Sequence, residues 1–334
     1  MKKKQIPLSA LELAVVTAGG DARKAIDQTV AVAQHIEALG YKRVWLAEHH
    51  NMEHIASSAT AILIGHVAGN TKHLRVGSGG IMLPNHTPLI VAEQFGTLET
   101  LYPGRIDLGL GRAPGTDQLT AMAIRRNNMH AAYQFPDDVQ ELRQFLDSEN
   151  VDSKVRAFPG EGLDIPIWIL GSSTDSAHLA AKLGLPYAFA SHFAPAQFDA
   201  AVKIYKQTFQ PSEQLKEPYV MACVNVIAAE TDEEADFLST SLYRMFIGIL
   251  TDVRQPLQAP VPSLNPYWNA EIQYAVNKMT ACTFAGSSHT LKEKLSTFIA
   301  KHDIDELMVT SYIYDQEKRL QSFTILKEAL QDNY

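Results

Sequence analysis

The chain has 334 residues, 46% hydrophobic and 20% charged, which is enough to bury an ordinary core in one large domain or two smaller ones. Its formal net charge is −8, and its dense basic run is limited to three lysines at positions 2–4, so we expect no nucleic-acid partner. It has two cysteines and no run of 18 apolar residues, which argues against a disulfide scaffold or a membrane span. We therefore expect a cytoplasmic protein.

The first third of the chain alternates between strand and helix patterns. Residues 11–16 predict a strand. A helix follows, beginning after Asp21, a favoured N-cap residue, and ending at Gly40, which suits the position just past a helix. A second buried strand at residues 44–47 precedes a helix at residues 57–67. This alternation is typical of parallel strands joined by helices.

The alternation continues to the end of the chain. Further strands are predicted at residues 74–77, 105–110, 166–170, 187–190, 219–228 and 306–310. Eight strands, most of them followed by a helix, predict a (β/α)8 TIM barrel, a fold of roughly 250 residues before insertions. Two stretches, at about residues 118–165 and 250–285, break the pattern. We interpret them as loop insertions within a single domain spanning residues 1–334.

In such a barrel, the loops that follow the strands build the active site. The second predicted strand runs directly into Glu48, His49 and His50. Histidine changes protonation near neutral pH, so this run favours general acid–base chemistry. The alternative is a strand end whose polar residues only face water. A metal site that adds His54 lacks a dependable ligand spacing, and we predict no metal.

Glycine-rich stretches follow the third and fourth strands. Gly79 and Gly80 would let the backbone approach a flat ligand, or would form a tight bulge without any ligand. Residues 109–115 do not have the glycine spacing of a nicotinamide-binding fold. No strand with an acidic end follows them at the distance that this fold requires. Arg112, within this stretch, is placed to pair with phosphate; the alternative is a salt bridge that fixes the loop.

After the fifth strand, a run of small and hydroxyl residues opens a predicted helix. It contains Gly171, Ser172, Ser173 and Ser176. Free N–H groups at a helix start, with hydroxyls beside them, are typical of an anion site. An ordinary helix cap is the alternative.

Together these motifs resemble the bacterial luciferase-like monooxygenase family, in order and over nearly the whole chain. The similarity is carried by residues 48–50, 76–94, 104–112 and 171–176, and it is greatest to short single-chain bacterial members of unknown substrate. The resemblance implies a monooxygenase that uses reduced FMN (FMNH2) and O2 on a small organic substrate, usually as a homodimer. Because no nicotinamide motif is present, a separate NAD(P)H:flavin reductase is the expected source of reduced flavin. An F420-dependent hydride-transfer enzyme or a non-catalytic flavin-binding protein is the alternative.

The resemblance also implies roles for individual residues. His49 matches the family's catalytic histidine, with Glu48 and His50 beside it. Gly79 and Gly80 match a pair, often joined by a non-prolyl cis peptide bond, that abuts the flavin ring. The positions that match cofactor contacts, mainly to the phosphate, are Arg112, Gly171, Ser172, Ser173 and Ser176.

Other positions depart from the family pattern. Gly111 stands where luciferases have a reactive cysteine, so we expect no thiol chemistry. A second phosphate-binding residue has no clear match, and Arg125, Arg126 and His130 remain candidates. Residues 250–285 lie where luciferases have a mobile lid. This segment carries the aromatic residues Tyr267, Trp268 and Tyr274, and it is either a lid or an outer-wall or dimer-contact segment.

Overall fold

The computed structural model describes residues 6–125 and 131–331. The strands are β1 (Leu8–Glu12), β2 (Arg43–Leu46), β3 (Arg75–Ser78), β4 (Ile81–Met82), β5 (Ile106–Gly111), β6 (Ile167–Gly171), β7 (Tyr187–Phe189), β8 (Val220–Ala228), β9 (Thr283–Gly286) and β10 (Glu306–Thr310). The helices are α1 (Ala22–Ala38), α2 (Thr60–Gly69), α3 (Pro88–Leu101), α4 (Gln118–Arg125), α5 (Ala131–Leu146), α6 (Thr174–Leu183), α7 (Phe198–Thr208), α8 (Asp232–Leu250), α9 (Ala270–Met279), α10 (Ser288–His302) and α11 (Gln316–Gln331).

Within the described ranges, eight strands close into a barrel whose pairings are all parallel. The order around the barrel is β10-β1-β2-β3-β5-β6-β7-β8, and β8 pairs with β10 to complete the circle. Two short strands lie outside this circle: β4 pairs with the C-terminal end of β5, and β9 with that of β8. The predicted TIM barrel is confirmed.

Local signals set most of the helix boundaries. Asp21 caps α1, its carboxylate accepting a hydrogen bond from the backbone N–H of Lys24 at 2.8 Å. Gly40 follows that helix with a φ of 72°, a backbone conformation that favours glycine. The larger part of the core lies between the barrel and the surrounding helices. A second apolar cluster lies largely inside the barrel and includes Leu11, Trp45, Trp168, Met221 and Met308.

A network of buried charges fills the N-terminal end of the barrel. Arg43 donates to Asp107 (Nη1 to Oδ2, 2.7 Å) and to Glu306 (Nε to Oε1, 2.8 Å), and both acidic side chains are fully buried. Trp45 Nε1 also donates to Asp107 at 3.1 Å. The guanidinium of Arg43 lies 4.8 Å from the ring centroid of Trp168. Charged groups and aromatic rings therefore close this end of the barrel.

The segment 250–285 lies along the C-terminal rim. Leu257 donates its backbone N–H to Val16 and accepts one from Ala18, at 2.8 and 2.9 Å, which ties the segment to the loop after β1. Its other end is β9, and α9 packs beside the short turn Pro195–Gln197 that follows β7. In residues 6–125 and 131–331, no helix has both the length and the apolar character needed to cross a membrane.

Candidate active site

The predicted site residues follow the ends of four strands that are neighbours in the barrel: β2, β3, β5 and β6. All four strands run parallel, so the residues just past their ends lie on one rim. The structure therefore places Glu48, Gly79, Arg112 and Ser172 on the same C-terminal rim of the barrel.

Glu48 is the centre of a buried hydrogen-bond cluster. Its side chain is 1% exposed and accepts from His50 Nε2 at 2.8 Å, His86 Nε2 at 3.0 Å, Asn85 Nδ2 at 3.1 Å and the Met82 backbone N–H at 3.0 Å. Burial alone would raise the pKa of Glu48, but the hydrogen bonds from His86, His50 and Met82 lower it below its ordinary value. Glu48 is therefore an ionised carboxylate that orients two histidines.

His49 is held differently from its two neighbours. Its Nδ1 lies 3.2 Å from the carbonyl oxygen of Gly115, which can only accept, so the proton is on Nδ1. Burial lowers the pKa of His49 below its ordinary value, although the Gly115 carbonyl oxygen and the carboxylate of Glu48 oppose that shift. His49 is therefore a neutral imidazole whose Nε2 has a lone pair available to accept a proton.

A histidine that the sequence analysis missed lies across the barrel mouth. His192 is three residues past the end of β7, which is the strand opposite β2 in the barrel order. Its side chain is 8% exposed, and its Nδ1 has no hydrogen-bond partner among the described residues. Burial lowers the pKa of His192 to about 3. The signal for this residue was its position directly after a predicted strand.

Gly79 and Gly80 lie where the barrel packs most tightly. The peptide bond between them is cis, the form that the resemblance implied. A Cβ on Gly79 would lie 2.6 Å from Leu11 Cδ1, and one on Gly80 would lie 2.7 Å from the carbonyl oxygen of Gly109. Packing alone thus requires glycine at both positions, whether or not a ligand lies against them.

The remaining predicted residues meet at the N-terminus of α6. Arg112 is half-exposed, and its Nη2 lies 3.4 Å from a carboxylate oxygen of Asp175. Ser173 is the N-cap of α6, but its hydroxyl makes no capping bond within the described part of the chain. Ser176 donates instead to the Ser173 carbonyl oxygen at 2.7 Å, and a Cβ on Gly171 would lie 2.0 Å from its hydroxyl oxygen. A cation, a helix start and a hydroxyl are the donor set typical of a phosphate site.

Arg125, one of three candidates for a second phosphate ligand, lies beside the Glu48 cluster. Its Nε donates to Asn85 Oδ1 at 3.0 Å, and Asn85 in turn donates to Glu48. The other two candidates, Arg126 and His130, lie outside the described residues. The contacts of Arg125 therefore connect it to the carboxylate cluster at the ends of β2 and β3.

Relatives of known sequence span the whole chain. The model of the luciferase-like monooxygenase family matches residues 9–297. The Bacillus subtilis protein YvbT is 50% identical over 328 residues, covering 98% of this chain and 97% of YvbT. A luciferase-like monooxygenase of Escherichia coli K12 is 46% identical, covering 99% of each chain. The N-acetyl-S-alkylcysteine monooxygenase of B. subtilis is 31% identical, covering 97% of this chain and 98% of that enzyme.

Solved structures share the barrel. Apo-MsnO8 matches with a TM-score of 0.87 at 30% identity, covering 98% of both chains. The oxygenating constituent of 3,6-diketocamphane monooxygenase from Pseudomonas putida, in complex with FMN, matches with a TM-score of 0.73 at 17% identity, covering 98% of each. An F420-dependent secondary alcohol dehydrogenase matches with a TM-score of 0.70 at 15% identity, covering 98% of this chain and all of that one. By its family-model match and its full-length relatives, the chain belongs to the luciferase-like monooxygenase family.

Proposed function

We propose that this protein is a monooxygenase that uses reduced FMN and O2 to oxidise a small organic substrate. The proposal rests above all on His49, a neutral, half-buried imidazole at the same rim as a phosphate-type donor set. Its Nε2 has no hydrogen-bond partner within residues 6–125 and 131–331. The family's monooxygenases and the FMN complex of a protein with this fold support the same assignment. F420 is the alternative cofactor, because a dehydrogenase that uses it shares the barrel.

The residues present suit a flavin mononucleotide. The ion pair of Arg112 with Asp175 is long and half-exposed, so the guanidinium can exchange that carboxylate for a phosphate. Ser173 has a hydroxyl free of capping and would add a second donor at the start of α6. The flavin ring would lie against Gly79 and Gly80, which add no side-chain bulk at the rim.

Reduced flavin, when bound, would supply the electrons for O2 activation. The chain's own residues would handle the proton and shape the site. His49 would accept a proton at Nε2 while Gly115 keeps its Nδ1–H in place. Glu48 is too deeply buried to touch a substrate, and it acts by fixing His50 and His86. The charged network around Arg43 excludes water from the N-terminal side.

The proposal includes two partners. A separate NAD(P)H:flavin reductase would deliver the reduced flavin, because the sequence lacks a nicotinamide-binding motif. The protein would work as a homodimer, as the family resemblance implies.

Titration with FMN, reduced FMN and F420 tests this function directly. Reduced FMN is expected to bind, and Arg112→Ala should weaken binding by about 1.5–3 kcal/mol, the contribution of a charge-assisted hydrogen bond. His49→Ala should keep that affinity and lose about 10²–10⁴-fold in oxidation of any substrate identified, because it removes the proton acceptor. Arg23→Ala, on the exposed face of α1, is the matched control and should change neither quantity. Preference for F420 would favour the alternative cofactor, and an unchanged dissociation constant in Arg112→Ala would contradict the phosphate assignment.

A further inference from the structure

A cleft at the rim, outside the groups considered so far, lies between α8 and the start of the segment 250–285. It encloses about 290 Å³, counting its open mouth. Three of its lining residues are basic: His54, Arg244 and Arg254. An apolar wall formed by Ile249 and Val253 stands beside them. The cleft therefore combines positive charge with an aliphatic surface.

Arg244 is fixed in place and still has hydrogen-bonding capacity. Its Nη1 donates to the carbonyl oxygen of Ala259 at 2.7 Å, and its guanidinium lies 4.7 Å from the ring centroid of Tyr267. Its Nε is buried and has no hydrogen-bond partner within the described ranges. A buried charged donor left unpaired is costly, so the Arg244 guanidinium has an unmet need for an acceptor.

Arg254 supplies a second guanidinium to the lining of the cleft. It lies 4.0 Å from Asp252, whose side chain is almost fully exposed, so that ion pair is long and readily exchanged. The charge of Arg254 also acts on His54: burial first, and then this charge, lower the pKa of His54, while Glu53 opposes them. The cleft therefore holds two guanidinium groups beside His54.

The cleft lies beside the loop that carries the proposed catalytic histidine. His54, one of its lining residues, lies five residues beyond His49 along that loop. The cleft wall also includes Leu257, which ties the segment to the loop after β1. The cleft therefore shares a loop with His49 and a rim segment with Leu257.

We propose that this cleft binds the carboxylate of an organic-acid substrate, between Arg244 and Arg254, with the aliphatic part of that substrate along Ile249 and Val253. A guanidinium matches a carboxylate with two parallel N–H donors, which makes arginine the suitable residue for this recognition. The assignment as a substrate site rests on the proposed monooxygenase function. Carboxylate binding itself requires neither flavin nor turnover.

The test is a ligand-observed NMR titration with sodium hexanoate and with hexanamide, which has the same chain length but no charge. Hexanoate should bind more tightly than hexanamide to the unaltered protein at low salt. Arg244→Gln and Arg254→Gln should each weaken hexanoate binding roughly tenfold or more, the loss expected for one charge-assisted hydrogen bond. Substitution of Arg254 is less of a risk to folding, because its side chain is exposed and its ion pair with Asp252 is long. Arg23→Gln is the matched control and should leave hexanoate binding unchanged.

Several results would overturn the proposal. Equal affinity for the acid and the amide, or full hexanoate affinity in both cleft variants, would remove the carboxylate site. Displacement of hexanoate by inorganic sulfate at equal concentration would show a general anion site and contradict the substrate assignment.

FMN titration of Arg254→Gln separates the carboxylate-site proposal from the proposed monooxygenase function. Normal flavin affinity with lost hexanoate binding supports the cleft. Hexanoate binding that depends on Arg254, in a protein that binds no flavin, would instead overturn the monooxygenase function.

Discussion

His192 is buried, and its Nδ1 has no hydrogen-bond partner among the described residues, so protonation of this side chain is tied to unfolding. Its pKa is lowered to about 3 in the folded protein, whereas an unfolded chain has a histidine pKa near 6.5. Between these values the unfolded state binds a proton that the folded state does not. The contribution of His192 to stability is therefore complete above pH 6.5, and it falls by about 1.4 kcal/mol per pH unit as the pH drops toward 3.

We predict that His192→Asn flattens this pH dependence. The free energy of unfolding, measured in urea at pH 6.5 and pH 5, should fall by about 2 kcal/mol more in the parent protein than in the variant. Measuring at pH 5 and above avoids a separate loss at Glu48, whose pKa is lowered in the folded protein. That loss begins only when the pH falls below the ordinary carboxyl pKa and the unfolded state takes up the proton. His73→Asn, at an exposed histidine, is the control. Equal slopes in the parent protein and His192→Asn would mean that His192 is protonated while folded.

The sequence predicted which residues stand on the rim but not how their side chains pair. His49, Arg112 and Ser173 were found because each directly follows or precedes an element whose pattern is clear. The partners of Glu48 were not found, because His86 and Met82 are more than 30 residues away and meet it only when β2 and β3 lie side by side. Hydrogen-bond partners of this kind depend on strand register, which a single sequence does not specify.

At the scale of elements, the segment 250–285 is held at both ends. Leu257 is bonded to the loop after β1, and β9 to the end of β8. Of the three aromatic residues proposed to cover the site, Trp268 is partly buried and lies 6.3 Å from Tyr243 between ring centroids. Tyr267 and Tyr274 are both exposed. The part between the two attachments is the part that can move.

We predict that hydrogen exchange at residues 258–280 slows when reduced FMN binds, while exchange at β9 stays unchanged. The reason is that lids close over ligands by moving between fixed attachments, and β9 is already hydrogen-bonded to β8. Exchange followed by mass spectrometry, with and without reduced FMN, measures the change. Protection already present in the free protein and lost on dilution would instead identify a dimer contact.

Strand boundaries were predicted well for most of the barrel and poorly at β1. The strands from β2 onward overlap their predicted ranges in the barrel, whereas β1 runs from Leu8 to Glu12 rather than through residues 11–16. Two polar residues in β1, Ser9 and Glu12, are fully buried, and they pair with Glu306 and Arg319 from elsewhere in the chain. The four-residue strand β9 was missed because the 250–285 segment shows little strand period.

At the scale of the whole molecule, the charged network at the N-terminal end joins strands from opposite ends of the chain. Arg43 comes from β2, Asp107 from β5 and Glu306 from β10. Removing one partner from a buried ion pair leaves uncompensated charge in the interior, which typically costs about 3–5 kcal/mol. The remaining contacts of Arg75 with Asp107 and of Lys42 with Glu306 should keep the loss near the lower end.

We therefore predict that Arg43→Gln lowers the free energy of unfolding by about 3 kcal/mol without changing flavin affinity, because the network is at the end of the barrel opposite the rim. Urea unfolding and FMN titration of the same preparation measure both quantities. Arg23→Gln breaks an exposed ion pair and should have no measurable effect on either. A flavin affinity that falls together with stability would show that the two ends of the barrel are coupled.

Closing the barrel at one end also constrains the order of events during turnover. Because Arg43, Asp107, Trp45 and Trp168 fill the N-terminal half, molecules can enter and leave only past the C-terminal rim. In the proposed monooxygenase, cofactor, substrate and product would share this one entrance, and the species seated deepest must arrive first and depart last. We therefore expect an ordered kinetic scheme, in which bound substrate slows the escape of the flavin and product release precedes flavin exchange.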